Sequence, residues 1–138
     1  MTPKEITNMM INADYFSQWL GIELVDINHG SCILKMKIRK DMLNGFGIAH
    51  GGISYSLADS ALAFASNSHG RKAVSIETSI SHTESLKEND EIMAEAKEEK
   101  CSEKIGIYSI KIFKVSDRTV VALFKGTVYR TSQKWLIS

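Results

Sequence analysis

The hydrophobic positions of this chain run first at helical spacing, then alternate, then return to helical spacing, and finally alternate to the end. Ile6, Met9, Met10, Ala13, Phe16, Trp19 and Leu20 form the first helical stripe. Thr2-Pro3-Lys4-Glu5 precedes it as a start signal: Thr2 caps, Pro3 suits the first helical position, and Glu5 sits where a capping box needs it. Gly21 is the matching stop, so a single helix is predicted up to Leu20. Two extended runs follow, at 22–28 and 32–39, joined by the turn Asn28-His29-Gly30-Ser31. In the second run Leu34, Met36 and Ile38 oppose Lys35, Lys37 and Arg39.

Residues 40–52 read as a loop containing Gly45, Gly47, Gly51 and Gly52. An alanine-rich helix is predicted over 53–68. Four strands complete the chain. Residues 73–83 alternate Val74, Ile76, Thr78 and Ile80 against Ser75, Glu77, Ser79 and Ser81. Residues 90–100 alternate more weakly through Ile92, Ala94 and Ala96, and 104–115 with 119–130 form a hairpin around Ser116-Asp117-Arg118. No internal repeat or linker interrupts this order, so residues 1–138 read as one domain. Runs of adjacent strands predict an α+β fold with a mainly antiparallel sheet.

Composition narrows the function classes. The net charge is +1, which leaves no broad basic surface and argues against nucleic acid as a partner. No apolar run approaches the length of a membrane span, and the first residues lack a basic segment followed by an apolar one. Cys32 and Cys101 lie far apart with no metal-type spacing, so both read as free, buried thiols. A reducing, cytoplasmic location is the expectation.

The second helix carries the question. On a helical wheel Ile53, Leu57, Ala58, Ala61, Leu62, Phe64 and Ala65 share one face, with Ser54 the polar intruder. Gly52, Tyr55, Ser56, Asp59, Ser60, Ala63, Ser66 and Asn67 share the other. A water-facing helix usually carries Lys, Glu and Arg there. Here the side chains are mostly small and Asp59 is the one charge, which suggests close approach of a second subunit or a ligand. His50-Gly51-Gly52 stands at the entrance, where unpaired N–H groups and the helix dipole favour an oxyanion. Asp59 lies eight residues beyond Gly51, about 12 Å along the axis. One reacting group meets both only if two subunits each supply one of them.

Asn44-Gly45-Phe46-Gly47-Ile48-Ala49-His50-Gly51-Gly52, then Ser56-Leu57-Ala58-Asp59-Ser60-Ala61, then Ala65-Ser66-Asn67, resembles the hotdog-fold thioesterases of the phenylacetate-degradation (PaaI-type) group. The resemblance covers roughly residues 15–132. It implies a hotdog fold: a long central helix wrapped by a curved, six-stranded antiparallel sheet, with an added N-terminal helix. It implies homodimers with sites at the subunit interface, often within a homotetramer. Carried over by position, Asp59 is the carboxylate that attacks the thioester or activates water, and Gly51 supplies the N–H that polarises the carbonyl. Asn44, from the same subunit as Gly51, places the thioester or the water; His50 is a neighbouring positioning residue; Ser75 is a strand hydroxyl that holds water. Where relatives often continue the third strand into a Leu-Arg-Pro-like ending, this chain reads Ser81-His82-Thr83-Glu84-Ser85.

The implied activity is hydrolysis of an aryl- or medium-chain acyl-CoA without metal or cofactor, coenzyme A being part of the substrate. A non-catalytic acyl-CoA sensor and a hotdog hydratase or dehydratase are the alternatives. Phe16, Trp19, Phe46, Tyr55 and Phe64 line either an acyl pocket or the core. Lys97, Lys100 and Lys104, with Glu95, Glu98, Glu99 and Glu103 among them, read as a solvated face rather than a phosphate site. His29, His69 and His82 read as surface or turn residues.

Overall fold

The computed structural model describes residues 1–136. Helix α1 spans Pro3–Ala13 and begins with the expected capping box: Thr2 Oγ1 accepts from Glu5 N–H, and Glu5 Oε1 accepts from Thr2 N–H. The single N-terminal helix expected from periodicity is two helices. Asp14 leaves the helical region and caps a second helix, α2, at Tyr15–Leu20. Its Oδ1 accepts from Ser17 N–H at 2.9 Å, and its Oδ2 accepts from the Ser17 hydroxyl. A capping aspartate competes with the helical backbone, and here it wins. Gly21, at φ 75°, ends α2 in the left-handed region as expected.

Strands β1 (Glu23–Asn28) and β2 (Ser31–Lys37) form a hairpin; the central helix α3 (Gly51–Asn67) follows, and then β3 (Arg71–His82), β4 (Glu91–Cys101), β5 (Ile105–Lys114) and β6 (Val120–Lys134). All five strand pairs are antiparallel, in the order β1-β2-β4-β5-β6-β3. This is the hotdog architecture: one six-stranded curved sheet around one long helix. The apolar face of α3 is buried as the wheel predicts, with Leu57, Ala58, Ala61 and Phe64 fully covered. It packs on Leu34, Ile92, Ala94, Ala96, Ile110, Ile112, Ala122 and Phe124. Each large apolar side chain covered in this way contributes roughly 1.5–3 kcal/mol.

Part of the polar face of α3 is buried too. Ser60 bonds Ser17 at 2.8 Å and so ties α2 to α3. Asn67 holds both the N–H and the carbonyl of Ala73, which fixes the end of α3 to the start of β3. Strand β3 lies at the sheet edge, and its pairing with β6 slips between Ser75 and Glu77. Thr78 and Ile80 are half-buried, but Val74 and Ile76 stay 56% and 58% exposed. Cys32 is buried as expected, its thiol pushed up to about 12 first by loss of solvent and then by Asp26; Cys101 is only half-buried. Among the described residues no helix is long and apolar enough to cross a membrane.

Candidate active site

The loop before α3 is closed by Asn44. Its Oδ1 accepts from the N–H groups of Phe46 (2.9 Å) and Ile48 (3.4 Å), and its own N–H donates to Ile48 O. Asn is suited to this because its short side chain substitutes for backbone in a turn. With Oδ1 committed to the loop, the Nδ2 amide is the end left for another partner. His50 N–H donates to Met42 O, and Ala49 N–H to Leu86 O, so the helix entrance is anchored on both sides.

His50 is the N-cap of α3. Its Nδ1 accepts from Gly52 N–H at 2.9 Å, and its carbonyl accepts from Ile53 N–H at 2.9 Å. These bonds satisfy two of the orphan donors of the first turn. Gly51 N–H is left without a partner among the described residues. Gly51 is exposed and lines a cleft of about 370 Å³ with Asn44, Ser54, His82, Glu84 and Leu86.

Asp59 projects from α3 farther along the helix and is half-buried. It lies in a cleft of about 280 Å³ with Ser75, Ala73, Val74 and Ser66. On its other side a smaller hollow is shared with Asp14, Phe16, Ser56 and Ser60. Loss of solvent raises the Asp59 carboxyl above its ordinary range, and the Asp14 carboxylate adds to the rise.

The five residues expected at the site thus fall into separate clefts of one chain. Asn44 and Gly51 share one, and Asp59 and Ser75 share another. The His50 ring lines a third, with Phe16, Trp19 and Ser56. Phe16 and Trp19 stack there at 6.0 Å, with the Arg39 guanidinium over Trp19, while Phe64 is core.

His82 is the residue that sequence reasoning set aside. It ends β3 opposite Ala122, inside the Gly51 cleft, and its Nδ1 pairs with Ser54 Oγ at 3.2 Å. The strand length was legible, but not that its end returns to the entrance of α3. Past the far end of α3, His69, Glu98 and Cys101 hold donor atoms within 4.8 Å of one another. Glu98 Oε1 is already engaged there by His69 Nε2 at 2.6 Å and by the Tyr108 hydroxyl at 2.8 Å. That arrangement closes as a hydrogen-bonded His–Glu pair with a tyrosine prop, away from both clefts.

Residues 46–121 match the Thioesterase superfamily model. The chain is 36% identical to a putative esterase of Archaeoglobus fulgidus, over 94% of this chain and 84% of that one. It is 34% identical to the acyl-coenzyme A thioesterase PaaI of Escherichia coli, over 88% of this chain and 86% of that one. Its fold matches the solved structure of the E. coli PaaI protein with a TM-score of 0.93, covering 96% and 95% of the two chains at 30% identity. The chain belongs to the thioesterase superfamily, as a hotdog-fold enzyme of its PaaI-type group.

Proposed function

We propose that this protein hydrolyses an aryl- or medium-chain acyl-CoA at a site shared by two subunits. The observation that carries the reading is the division of labour between the clefts. One presents an uncommitted N–H at the positive end of α3, and the other a partly desolvated carboxylate. Each is half of a hydrolytic site.

The exposed edge of β3, with Val74 and Ile76 on it, supports pairing with a second copy. A two-fold axis makes such a pair antiparallel. An axis near Thr78–Ser79 sets the His82 end of one β3 against the Ser75 end of the other. The Gly51 cleft of one subunit then faces the Asp59 cleft of its partner.

In this site the thioester oxygen sits on Gly51 N–H, and negative charge grows there as the carbonyl becomes tetrahedral. One such donor is worth about 2.7–4 kcal/mol. Asn44 Nδ2 places the thioester or the attacking water. The carboxylate of Asp59 either attacks the carbonyl carbon, expelling CoA thiolate and leaving an anhydride for water to open, or takes the proton of an attacking water. Ser75 holds that water. His50 works through the backbone: by capping Gly52 N–H it holds the helix entrance that presents Gly51 N–H. With Nδ1 accepting that bond, the neutral ring carries its proton on Nε2 and cannot take another there, which weighs against a dehydratase whose imidazole must abstract a proton.

The test is thiol release from phenylacetyl-, benzoyl- and octanoyl-CoA by the native protein and by Asp59→Asn at matched folding. Turnover should fall by about 10²–10⁴-fold in the variant. Tight binding of all three esters without thiol release from either protein would overturn the reading in favour of a sensor.

A further inference from the structure

We propose that His82 is a further substrate-binding residue of this site, its Nε2–H giving the thioester oxygen a hydrogen bond beside that of Gly51 N–H. The inference rests on the thioesterase reading and adds a donor that it does not contain. Three features of the cleft carry it.

The first is position. A methyl group built on Gly51 would lie 3.2 Å from His82 Nε2, with Cε1 and Cδ2 at 3.7 and 3.8 Å. The ring therefore stands over Gly51 with its Nε2 edge foremost. It reaches there because β3 runs to His82 before the chain turns, where Thr83 N–H is held by Val121 O.

The second is the hydrogen-bond chain behind the ring. Ser54 is 4% exposed, and its hydroxyl lies 3.2 Å from His82 Nδ1 and 3.3 Å from Gly51 O. Ser54 has one proton to give. Given to Nδ1, it makes Nδ1 the acceptor, so the neutral ring carries its proton on Nε2. Given to Gly51 O, it lets a protonated ring donate from Nδ1 to Ser54 while Nε2–H still faces outward. Both states present a donor at Nε2. Only the neutral ring with its proton on Nδ1 does not, and an oxyanion arriving in the cleft disfavours that tautomer. Ser54 thus fixes the ring plane and accommodates either donor state.

The third is availability. Nδ1 is the ring nitrogen with a partner among the described residues; Nε2 has none and opens into the cleft that Gly51 and Asn44 line. A preorganised donor of this kind adds to the backbone N–H where charge develops and costs no reorganisation at the moment of reaction.

The experiment compares His82→Phe, His82→Gln and Asp59→Asn with native protein on phenylacetyl-CoA and octanoyl-CoA, thermal unfolding being checked for each. Phe keeps a flat ring and removes the donor; Gln brings an amide N–H close to the place of Nε2. The expected result is a fall in kcat of about 10²-fold for His82→Phe, with KM changed only a few-fold, and substantial recovery in His82→Gln. If Asp59→Asn loses turnover while His82→Phe keeps native kcat, the donor role of His82 is overturned and the thioesterase reading stands. Equal loss in the Phe and Gln variants, with native unfolding temperatures, overturns it as well, since a hydrogen bond from the Nε2 place would then be irrelevant. A native protein that releases no thiol from either ester removes the thioesterase reading and this inference together.

Discussion

Two aspartates near the start of the chain's second helix and in the middle of its third do opposite things with the same group. Asp14 spends both oxygens on Ser17, whereas Asp59 has no such donors among the described residues and sits half out of water. Burial first, and the Asp14 charge second, raise the Asp59 carboxyl. A carboxyl whose folded pKa is raised lowers stability as pH rises from its unfolded value through its folded value, and that loss persists at neutral pH. Asp59→Asn should therefore unfold at a higher temperature than native protein at pH 7. The gap should close below about pH 4, where the unfolded carboxyl is also protonated; an unchanged or lower unfolding temperature at pH 7 would contradict it. Asp14→Asn tests the second cause separately. Asn caps as well as Asp, so α2 should survive. With the charge gone, the acid limb of the pH–rate profile should move to lower pH, while turnover at pH 8, on the plateau beyond that limb, stays within about two-fold.

At the scale of elements, the site depends on how close α3 lies to the sheet. Ala94, Ala96 and Ala122 keep the floor low beneath it, and Gly126 is the tightest point. A Cβ at Gly126 would come within 2.5 and 2.9 Å of the two methyls of Leu62, which is 1% exposed and has nowhere to go. Gly126→Ala should cost about 1–2 kcal/mol, less than full overpacking because alanine suits a strand better than glycine does. A shift in the urea midpoint at constant m-value measures it, and an unshifted midpoint would show that the helix can ride up. Much of this layer was legible in the chain: the apolar wheel of α3 and the alternation of Leu34, Met36 and Ile38 follow from period alone. The break at Asp14 was not, because a cap in mid-stripe leaves the apolar spacing intact. Nor was the slip between Ser75 and Glu77, which is set by pairing with β6. Asn44, Gly51 and Asp59 stood out as motif positions, but His82 did not. Its place depends on where a strand's end meets a helix's start, and no local pattern encodes that.

For the whole molecule, the proposed function makes a lone chain hold two halves of different sites, because Gly51 and Asp59 lie in separate clefts. Val74 and Ile76 on an unpaired edge are the apolar contact that a second copy would cover. Val74→Lys places a charge on that edge, the device by which edge strands avoid pairing. Sedimentation should show its assembly weakened at micromolar concentration, with thiol release falling in proportion to the lost dimer. A sharper consequence concerns mixtures. Asn44→Ala damages the half-site that holds Gly51, and Asp59→Asn damages the other, so each variant alone should be nearly inactive. In a two-fold pair of one of each, one site collects both damaged halves and the other collects both intact ones. Random reassortment of equal amounts makes half the dimers mixed, so activity should return to about a quarter of the native level. If each chain instead completed its own site, the mixture would show only the mean of two inactive proteins. Recovery on mixing is therefore a direct reading of whether Gly51 and Asp59 act on one substrate from different subunits.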